Sequence, residues 1–391
     1  YELRFMSLGP GGFSWPARVP GVRSVEFMGR CPGQTGVDVL TVHMDPQTRR
    51  ACRISRMSAR QDAVDPLEED VLWVEPNEAA YLEVFRTKDK RCVLLSSNTK
   101  DTSEVRVVRC AAMASDADVP VGPLGLLAPR EGVEYFAEHC GDSFYIISNH
   151  ERPDFSVYQL PDAMVGAEDG GWQHLRPFFT PPGGLHVTDA DMLQRWLVLY
   201  GHEAAGPRVC VVPVPPGGGA ELPAEEAPPA EEAYLAALPH GVGSVEPGVN
   251  ADPEARRIRF TFRSPLEPGA TYDLQLDTGE VQLVSRREWA HGLDPDAFVC
   301  ERIEYPARDG EMVPLTVARP KWDYSGGSAG APRPCLLHVY GAYGTCLVPD
   351  FRPEHALLLR RGWTLAWAHV RGGGERGRAW HAAGRRLRKA R

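Results

Sequence analysis

Residues 81–108 read YLEVFRTKDKRCVLLSSNTKDTSEVRVV, and they carry the clearest indication of the fold. Within them the apolar run VLLSSN (93–98) is followed by a polar turn and then by TSEVRVV (102–108). Short runs rich in β-branched residues, with apolar and polar positions in alternation, are typical of strands that have one buried face. The stretch therefore predicts consecutive short strands joined by turns.

The same pattern recurs through the first 288 residues at an interval of about 50 residues, and no helix-like run interrupts it. Comparable pairs of runs are FYIISN with FSVYQL (144–149, 155–160), WLVLYGH with PRVCVVPV (196–202, 207–214) and IRFTFR with TYDLQL (258–263, 271–276). A repeat of four-strand size fits the blade of a β-propeller, in which neighbouring blades bury each other's faces. One or two β-sandwiches are the alternative, but the regular spacing favours the propeller.

One segment breaks the repeat: PPGGGAELPAEEAPPAEEAYLAALP, residues 215–239. It is rich in Pro, Ala and Glu and poor in residues that build a core. This composition predicts an inserted, largely disordered surface loop within the propeller. A regulatory docking segment is the alternative, although none of its residues points to one specifically.

The character of the sequence changes after residue 288. VCERIEYPA (299–307) and MVPLTVARP (312–320) predict a hairpin, and the apolar runs at 335–344 and 364–370 predict strands on either side of a short helix. Strand, helix, strand, with apolar strands buried on both faces, is the α/β pattern of a parallel sheet. We therefore expect a β-propeller domain over residues 1–288 and an α/β segment over 289–391.

Two glycine-rich loops follow these predicted strands, YGAYG at 340–344 and RGGGERG at 371–377. In an open α/β sheet, ligands bind beyond the carboxyl ends of the strands, and glycine lets the backbone come close to a ligand. The phenol of Tyr340 can donate a hydrogen bond to a developing oxyanion, while packing at the strand end is its alternative role. In the second loop we expect Arg371 and Glu375 to hold the loop through an ion pair, because the loop lacks the ending of a phosphate-binding motif.

A further motif, GGSAG at 326–330, matches the G-x-S-x-G pattern of a nucleophile elbow. An elbow needs a helix directly after the serine, but Pro332 and Pro334 preclude a regular helix there. We therefore predict that Ser328 lies in a turn between strands and is not a nucleophile. The same region holds histidines without a metal-binding spacing to Asp or Glu, which we interpret as structural: His338, His355, His369 and His381.

Composition narrows the functional classes. The nine cysteines form no C-x-x-C pair and several lie in apolar runs, which indicates reduced, buried thiols in a cytosolic setting rather than a disulfide framework or a metal site. No apolar run is long enough for a membrane span, and no signal peptide is visible. The net charge is −9, and the basic residues at 371–391 are interpreted as a solvated helix face rather than a nucleic-acid site.

The run HVYGAYG…FRPE…GWTLAWAHVRGGGERGRAWHAAGR, within 338–385, resembles the prolyl oligopeptidase family of serine peptidases. Residues 81–108 are similar to the propeller blades of that family. The resemblance implies a seven-bladed propeller, here incomplete at its N-terminal end if the natural start is missing before Tyr1, followed by the first part of an α/β-hydrolase domain. It also implies that the Ser, Asp and His of the catalytic triad lie beyond Arg391, so that residues 1–391 alone would be inactive.

By the same resemblance, Tyr340 corresponds to the tyrosine that helps to bind the oxyanion, and Tyr343 falls where the family has a substrate-pocket aromatic residue. Ala342 stands where glycine is more usual, which implies a difference in loop geometry. Ser328 falls in a variable loop. The family implies short peptides as substrates, and the branch that this sequence most resembles implies esters or thioesters and a cytoplasmic, Golgi-associated role in trafficking.

The sequence thus predicts a serine hydrolase that acts on short peptides or (thio)esters without a cofactor or metal, with a trafficking protein as a further partner. Two alternatives stay open. One is a non-catalytic propeller scaffold, in which the acidic 1–370 region and the 215–239 segment would bind a partner protein. The other is an inactive truncated isoform, in which residues 289–391 would expose strands.

Overall fold

The protein is described from a computed structural model. The structure describes residues 2–4, 18–29, 36–60, 67–110, 123–204, 206–215, 232–288, 294–321, 333–386 and 388. These residues fall into two compact units. The described residues up to Glu151, together with Ser156–Phe178, lie in the first unit, and Arg152–Phe155, Phe179–Val214 and the described residues from Glu232 onward form the second.

The first unit is built from four-stranded sheets in which each strand hydrogen-bonds to the next along the chain. A short ribbon of β1 (Glu2–Leu3) and β2 (Val19–Pro20) precedes them. The sheets are β3 (Val22–Gly29), β4 (Gly36–Met44), β5 (Ala51–Arg60) and β6 (Leu67–Val74); β7 (Tyr81–Arg86), β8 (Cys92–Asn98), β9 (Ser103–Arg109) and β10 (Leu124–Gly125); and β11 (Tyr135–Cys140), β12 (Ser143–Ser148), β13 (Ser156–Pro161) and β14 (Arg176–Phe179). The strands predicted within 81–108 are therefore confirmed as β7 to β9.

The second unit contains two further sheets of the same kind and a mixed sheet with two short helices. The first two sheets are β15 (His186–Leu193), β16 (Trp196–Glu203), β17 (Gly206–Pro213) and β18 (Tyr234–Leu235); and β19 (Ser244–Pro247), β20 (Arg257–Ser264), β21 (Glu267–Gln275) and β22 (Val281–Arg286). The mixed part comprises β23 (Phe298–Pro306), β24 (Met312–Pro320), β25 (Cys335–Val339), α1 (Pro353–Arg360), β26 (Thr364–Ala368) and α2 (Gly377–Ala383). In the described part of the chain, neither helix has the length and apolar character needed to cross a bilayer.

The central strands show how the sheets pack. Along β8, Cys92 and Leu94 belong to a core shared with the β11–β14 sheet, whereas Val93 and Leu95 belong to a core shared with the β3–β6 sheet. Successive side chains of a strand point to opposite faces, so this sheet is covered by a neighbouring sheet on each side. That arrangement is the packing of propeller blades. Five such four-stranded blades are present in the described residues.

The interpretation of 215–239 as a disordered insertion is wrong for its C-terminal part. Tyr234 and Leu235 form β18 and pair with Val211 and Cys210 of β17, which completes the fourth strand of that blade. Ala236, directly after them, is buried. The pairing succeeds because the edge of β17 offers unpaired backbone groups to any segment that passes it. Residues 216–231 lie outside the described residues.

The mixed sheet has the strand order β23-β24-β26-β25. β25 and β26 are parallel and connected through α1, as the strand–helix–strand pattern predicts, whereas β24 runs antiparallel to β26. The expectation that both apolar strands are buried on both faces is wrong for β25. Leu337 and Val339 are 56% and 54% exposed, because β25 is the edge strand of the sheet in the part that the structure describes.

Candidate functional site

The two glycine-rich loops lie side by side. β25 ends at Val339 and its parallel neighbour β26 ends at Ala368. Both loops therefore start at the carboxyl ends of adjacent parallel strands, on the same side of the sheet. The backbone N–H of Gly344 in the first loop donates to the carbonyl of Gly372 in the second at 2.9 Å. The two glycine-rich loops, which the sequence places directly after predicted strands, are therefore neighbours in the structure.

Close approach of the two backbones explains the glycines. Gly372 has a φ of +98°, and a Cβ atom there would lie 2.2 Å from the carbonyl oxygen of Gly341. A Cβ atom at Gly374 would lie 2.3 Å from the carbonyl oxygen of Gly344. Both distances are too short for a side chain, so only glycine permits this contact. The glycine-rich sequence thus serves the packing of one loop against the other.

Tyr340 and Tyr343 are both on the first loop and both reach the surface. Tyr340 follows the last residue of β25 and is 49% exposed, while Tyr343 is 74% exposed. Tyr343 has a φ of +59°, an uncommon conformation for a bulky residue. Tyr340 is therefore not enclosed in the core, and its phenol is available at a strand end. Its role as an oxyanion donor and the role of Tyr343 in substrate binding stay predictions.

Glu375 connects the two loops through a buried carboxylate, which is only 6% exposed. Its Oε1 accepts a hydrogen bond from the backbone N–H of Leu347 at 2.7 Å and lies 3.4 Å from Nδ1 of His369. Burial alone would raise the pKa of Glu375, but the hydrogen bonds from His369 and Leu347 outweigh it and hold that pKa below its usual value. Glu375 is therefore ionised at neutral pH.

His369 stands behind Glu375 and is itself buried. Its Nε2 lies 2.8 Å from the hydroxyl of Thr316 on β24. Burial lowers the pKa of His369, so the ring is neutral and carries one proton. A carboxylate only accepts, so we assign that proton to Nδ1, facing Glu375, and Thr316 then donates to Nε2. His369 is thus part of the scaffold of the second loop, as its structural interpretation implies.

The predicted ion pair between Arg371 and Glu375 is wrong. Arg371 instead pairs with Asp309 at 2.5 Å, whereas the carboxylate of Glu375 accepts hydrogen bonds from Leu347 and His369. Both residues do hold the loop, but each does so through a different partner. The loop turns the two side chains toward different neighbours.

Residues from much earlier in the chain also hold the second loop and the first turn of α2. Nε2 of His202 lies 2.9 Å from the carbonyl oxygen of Gly374, and because a carbonyl only accepts, this nitrogen carries the proton. One carboxylate oxygen of Asp154 accepts from the backbone N–H of Arg378 at 3.0 Å and lies 3.1 Å from Nδ1 of His186. Sequence reasoning missed these contacts because His202 and Gly374 are 172 positions apart.

The remaining sequence-derived candidates take other places. His338 stacks on Trp367 with ring centres 5.5 Å apart, and Nδ1 of His381 lies 2.9 Å from the carbonyl oxygen of Gly372. Ser328 lies outside the described residues. Within the part of the chain that the structure covers, no group of three or more His, Cys, Asp or Glu side chains is arranged to hold a metal ion.

Comparisons with known proteins agree on one family. A family model described as "Prolyl oligopeptidase, N-terminal beta-propeller domain" matches residues 64–287, and one described as "Prolyl oligopeptidase family" matches residues 349–391. The first covers more than half of the chain. The two matches fall on the blades and on the part of the mixed sheet that carries α1, β26 and the second glycine-rich loop.

Individual relatives show the same similarity. The protein named "Prolyl endopeptidase-like" from Xenopus laevis is 29% identical over 80% of this chain and 40% of its own length, and its counterpart from Homo sapiens is 29% identical over 81% and 39%. "Dipeptidyl aminopeptidase BI" from Pseudoxanthomonas mexicana is 28% identical over 90% of this chain and 44% of its own length. The chain therefore spans less than half the length of these curated relatives.

Solved structures share the fold. Oligopeptidase B from Leishmania major superposes with a TM-score of 0.77 at 22% identity, over 94% of this chain and 48% of that one. Oligopeptidase B from Trypanosoma brucei, in a closed form with covalently bound antipain, gives a TM-score of 0.75 at 21% identity over the same shares.

Proposed function

Because this chain belongs to the prolyl oligopeptidase family, we propose that the full-length protein is a serine hydrolase in which Tyr340 stabilises the oxyanion of an acyl-transfer reaction. The observation that carries the proposal is the position of Tyr340, half-exposed at the end of β25 on a loop fixed against the second glycine-rich loop. A phenol held at a strand end can donate to the oxygen that becomes negative when a nucleophile attacks an acyl carbonyl. The membership in a peptidase family supports the reaction class.

In this proposal the nucleophile is a serine outside residues 1–391, since the chain spans only about 40% of the prolyl endopeptidase-like relatives. A histidine takes the proton of that serine and returns it to the leaving group, and an aspartate orients the histidine. Residues 1–391 contribute the propeller, Tyr340 and the loops that hold it. On its own this part of the protein would then lack hydrolase activity.

The substrates that we propose are short peptides, esters or thioesters. The similarity to a protein named as a dipeptidyl aminopeptidase supports peptides. Esters and thioesters are included on the family resemblance of the sequence alone. Tyr343, at 74% exposure, is the proposed aromatic contact for the substrate. A cytoplasmic location, with association to the Golgi and a trafficking partner, is part of the proposal, and the free cysteines of the described chain are compatible with a reducing compartment.

A fluorophosphonate probe tests the reaction class, because it labels only an activated serine. The full-length protein should be labelled, and substitution of the labelled serine should abolish both labelling and ester hydrolysis. A well-folded sample that resists the probe would refute the hydrolase. Partner binding that survived in such a sample would then favour the non-catalytic scaffold.

The role of Tyr340 is tested by Tyr340→Phe, which removes only the phenol oxygen. We expect kcat to fall roughly 100-fold or more, about 3 kcal/mol in the barrier, with little change in KM, because the lost hydrogen bond forms only as charge develops. The matched control is Tyr81→Phe, on a similarly exposed tyrosine of β7, which should leave kcat unchanged. A Tyr340→Phe protein with full kcat would remove Tyr340 from the mechanism.

A further inference from the structure

We infer that Glu375 is a positioning residue for Tyr340: its buried carboxylate fixes the far end of the loop whose near end carries the phenol. The effect of Glu375 on catalysis rests on the proposed function. The anchoring of the loop by Glu375 does not depend on that function. Glu375 is not placed in contact with the reacting atoms. It acts through the loop that runs from Tyr340 to Leu347.

Three contacts along that loop bear on the inference. Its start is set by β25, which is hydrogen-bonded to β26 up to Val339. Its middle is set by the hydrogen bond from Gly344 to Gly372. Its end is set by the 2.7 Å hydrogen bond from the N–H of Leu347 to Glu375. Glu375 supplies a side-chain anchor for the backbone at this end of the loop, where Sγ of Cys346 also lies 3.4 Å from Nε2 of His202. Removal of the Glu375 carboxylate would therefore loosen the end opposite Tyr340.

The anchor is itself rigid. His369, which faces Glu375, is held by the hydroxyl of Thr316 at 2.8 Å, and its carbonyl accepts from the indole N–H of Trp380 at 3.1 Å. The carboxylate also fills the space beside Gly373, where a Cβ atom would lie 2.2 Å from Oε2. Thr316, His369 and Glu375 are all buried, so solvent does not compete for these hydrogen bonds. The hydrogen bonds of the carboxylate are made by Oε1, whereas Oε2 is buried without a hydrogen-bond partner among the described residues.

A charged acceptor suits this task better than a neutral one. A hydrogen bond from a backbone N–H to a carboxylate is shorter and roughly twice as strong as a bond between neutral groups. Replacement by glutamine keeps the shape and one acceptor oxygen but removes the charge. Replacement by alanine removes the acceptor and leaves the N–H of Leu347 without its partner inside the protein, which is costly. Glu375→Gln thus tests the contribution of the charge, and Glu375→Ala tests the contribution of the hydrogen bond that anchors the loop.

The catalytic consequence is tested by a double-mutant cycle in the full-length protein. Glu375→Ala should lower kcat on the order of ten- to hundred-fold with little change in KM, since misplacement by about 1 Å can cost that much. In the Tyr340→Phe background the same substitution should cause almost no further loss, because there is no phenol left to position. Glu375→Gln should restore most of the activity. The control Glu301→Ala removes an ion-paired carboxylate of β23, which lies 3.1 Å from Arg319, and should not change kcat.

Equal losses in the wild-type and Tyr340→Phe backgrounds would overturn the inference, because Glu375 would then support the fold in general. A second readout does not depend on activity. With 3-fluorotyrosine at position 340, the 19F signal should be single and sharp, and Glu375→Ala should broaden or split it while Glu301→Ala should not. An unchanged signal in Glu375→Ala would overturn the inference even in an active enzyme. A protein without hydrolase activity that still showed the broadening would refute the proposed function alone.

Discussion

The His139 side chain has no exposed surface and lies between two carboxylates in the first unit. Its Nδ1 is 2.5 Å from Asp89 and its Nε2 is 3.1 Å from Asp162, which also pairs with Arg109 at 2.8 Å. Both ring nitrogens can donate at once only in the protonated ring. Burial alone would lower the pKa of His139, but the hydrogen bonds to Asp162 and Asp89 outweigh it and raise that pKa. The imidazolium therefore joins the β7–β8 turn, β11 and the end of β13.

We expect His139→Gln to destabilise the protein by about 3 kcal/mol near pH 6, because two partly buried carboxylates lose their shared partner. The folded-state pKa of His139 is raised, so its contribution is complete below the unfolded value of about 6.5 and is lost as the pH rises through the folded value. The pKa values of Asp89 and Asp162 are lowered, so their contributions are lost only as the pH falls toward and below about 4. The cost of the substitution should therefore be larger at pH 6 than at pH 9.

Urea unfolding at the two pH values measures this difference. The matched control is His174→Gln, which removes a histidine 2.8 Å from Asp169 in a surface pair and should change the free energy of unfolding by less than about 1 kcal/mol. A cost for His139→Gln that is the same at pH 6 and pH 9 would show that the ring is neutral in the folded protein.

The backbones of the two glycine-rich loops lie so close together that a glycine-to-alanine substitution, which adds one methyl group, tests their packing. Gly374 has an ordinary φ, so Gly374→Ala adds no backbone strain, and its Cβ atom would press on the carbonyl of Gly344 and on Sγ of Cys346. We expect a loss of about 1–3 kcal/mol in the free energy of unfolding, and faster proteolytic cleavage of the first loop. Gly183→Ala, where a Cβ atom meets nothing within 4 Å, is the control and should behave as wild type.

Strands with their own alternation of apolar and polar residues could be predicted from the sequence. Features that depend on which strands lie next to each other in a sheet could not. The runs within 81–108 predicted strands because alternation is a property of the strand itself. The apolar runs of β25 and β26 look alike, yet only β26 is buried, since the sheet order decides which strand lies at an edge. The two-residue strand Tyr234–Leu235 has no pattern of its own and depends on the open edge of β17.

The candidate site shows the same division. The glycine-rich loops and Tyr340 were predictable because they follow apolar strands directly in the sequence. The partners that hold them were not, because Asp154 and His202 approach from blades that precede the loops by well over a hundred positions. For Glu375 the sequence indicated an anchoring role but the wrong partner, since a carboxylate pairs with whatever donor the fold places beside it.

Across the whole chain, the stability of the propeller depends on the cores that neighbouring blades share. In the second unit, Phe260 and Leu274 of one blade pack in a single core with Val198 and Val209 of the other. Each blade has one apolar surface for each neighbour, so interactions between adjacent blades are the main stabilising terms. A defect in one shared core should therefore affect both of the blades that form it.

Phe260→Ala tests this coupling. Phe260 is completely buried, so the substitution should cost about 3–5 kcal/mol and should speed hydrogen exchange in β16 of the neighbouring blade as well as in β20. Val249→Ala, at a side chain that is 96% exposed, is the control and should leave exchange unchanged in both strands. Faster exchange confined to the blade of Phe260 would mean that the two blades open independently.

The distribution of thiols gives the protein a built-in attachment point for a fluorophore. Among the eight cysteines that the structure describes, only Cys335 is exposed, whereas burial raises the pKa of Cys92, Cys210 and Cys300 to about 12. Maleimides react with the thiolate form. These three thiols should therefore react slowly, both because access to them is limited and because they stay protonated. Cys335 begins the strand that ends just before Tyr340, roughly 16 Å away at the rise of an extended chain. A dye attached there would lie close enough to the proposed oxyanion loop to report the binding of a ligand.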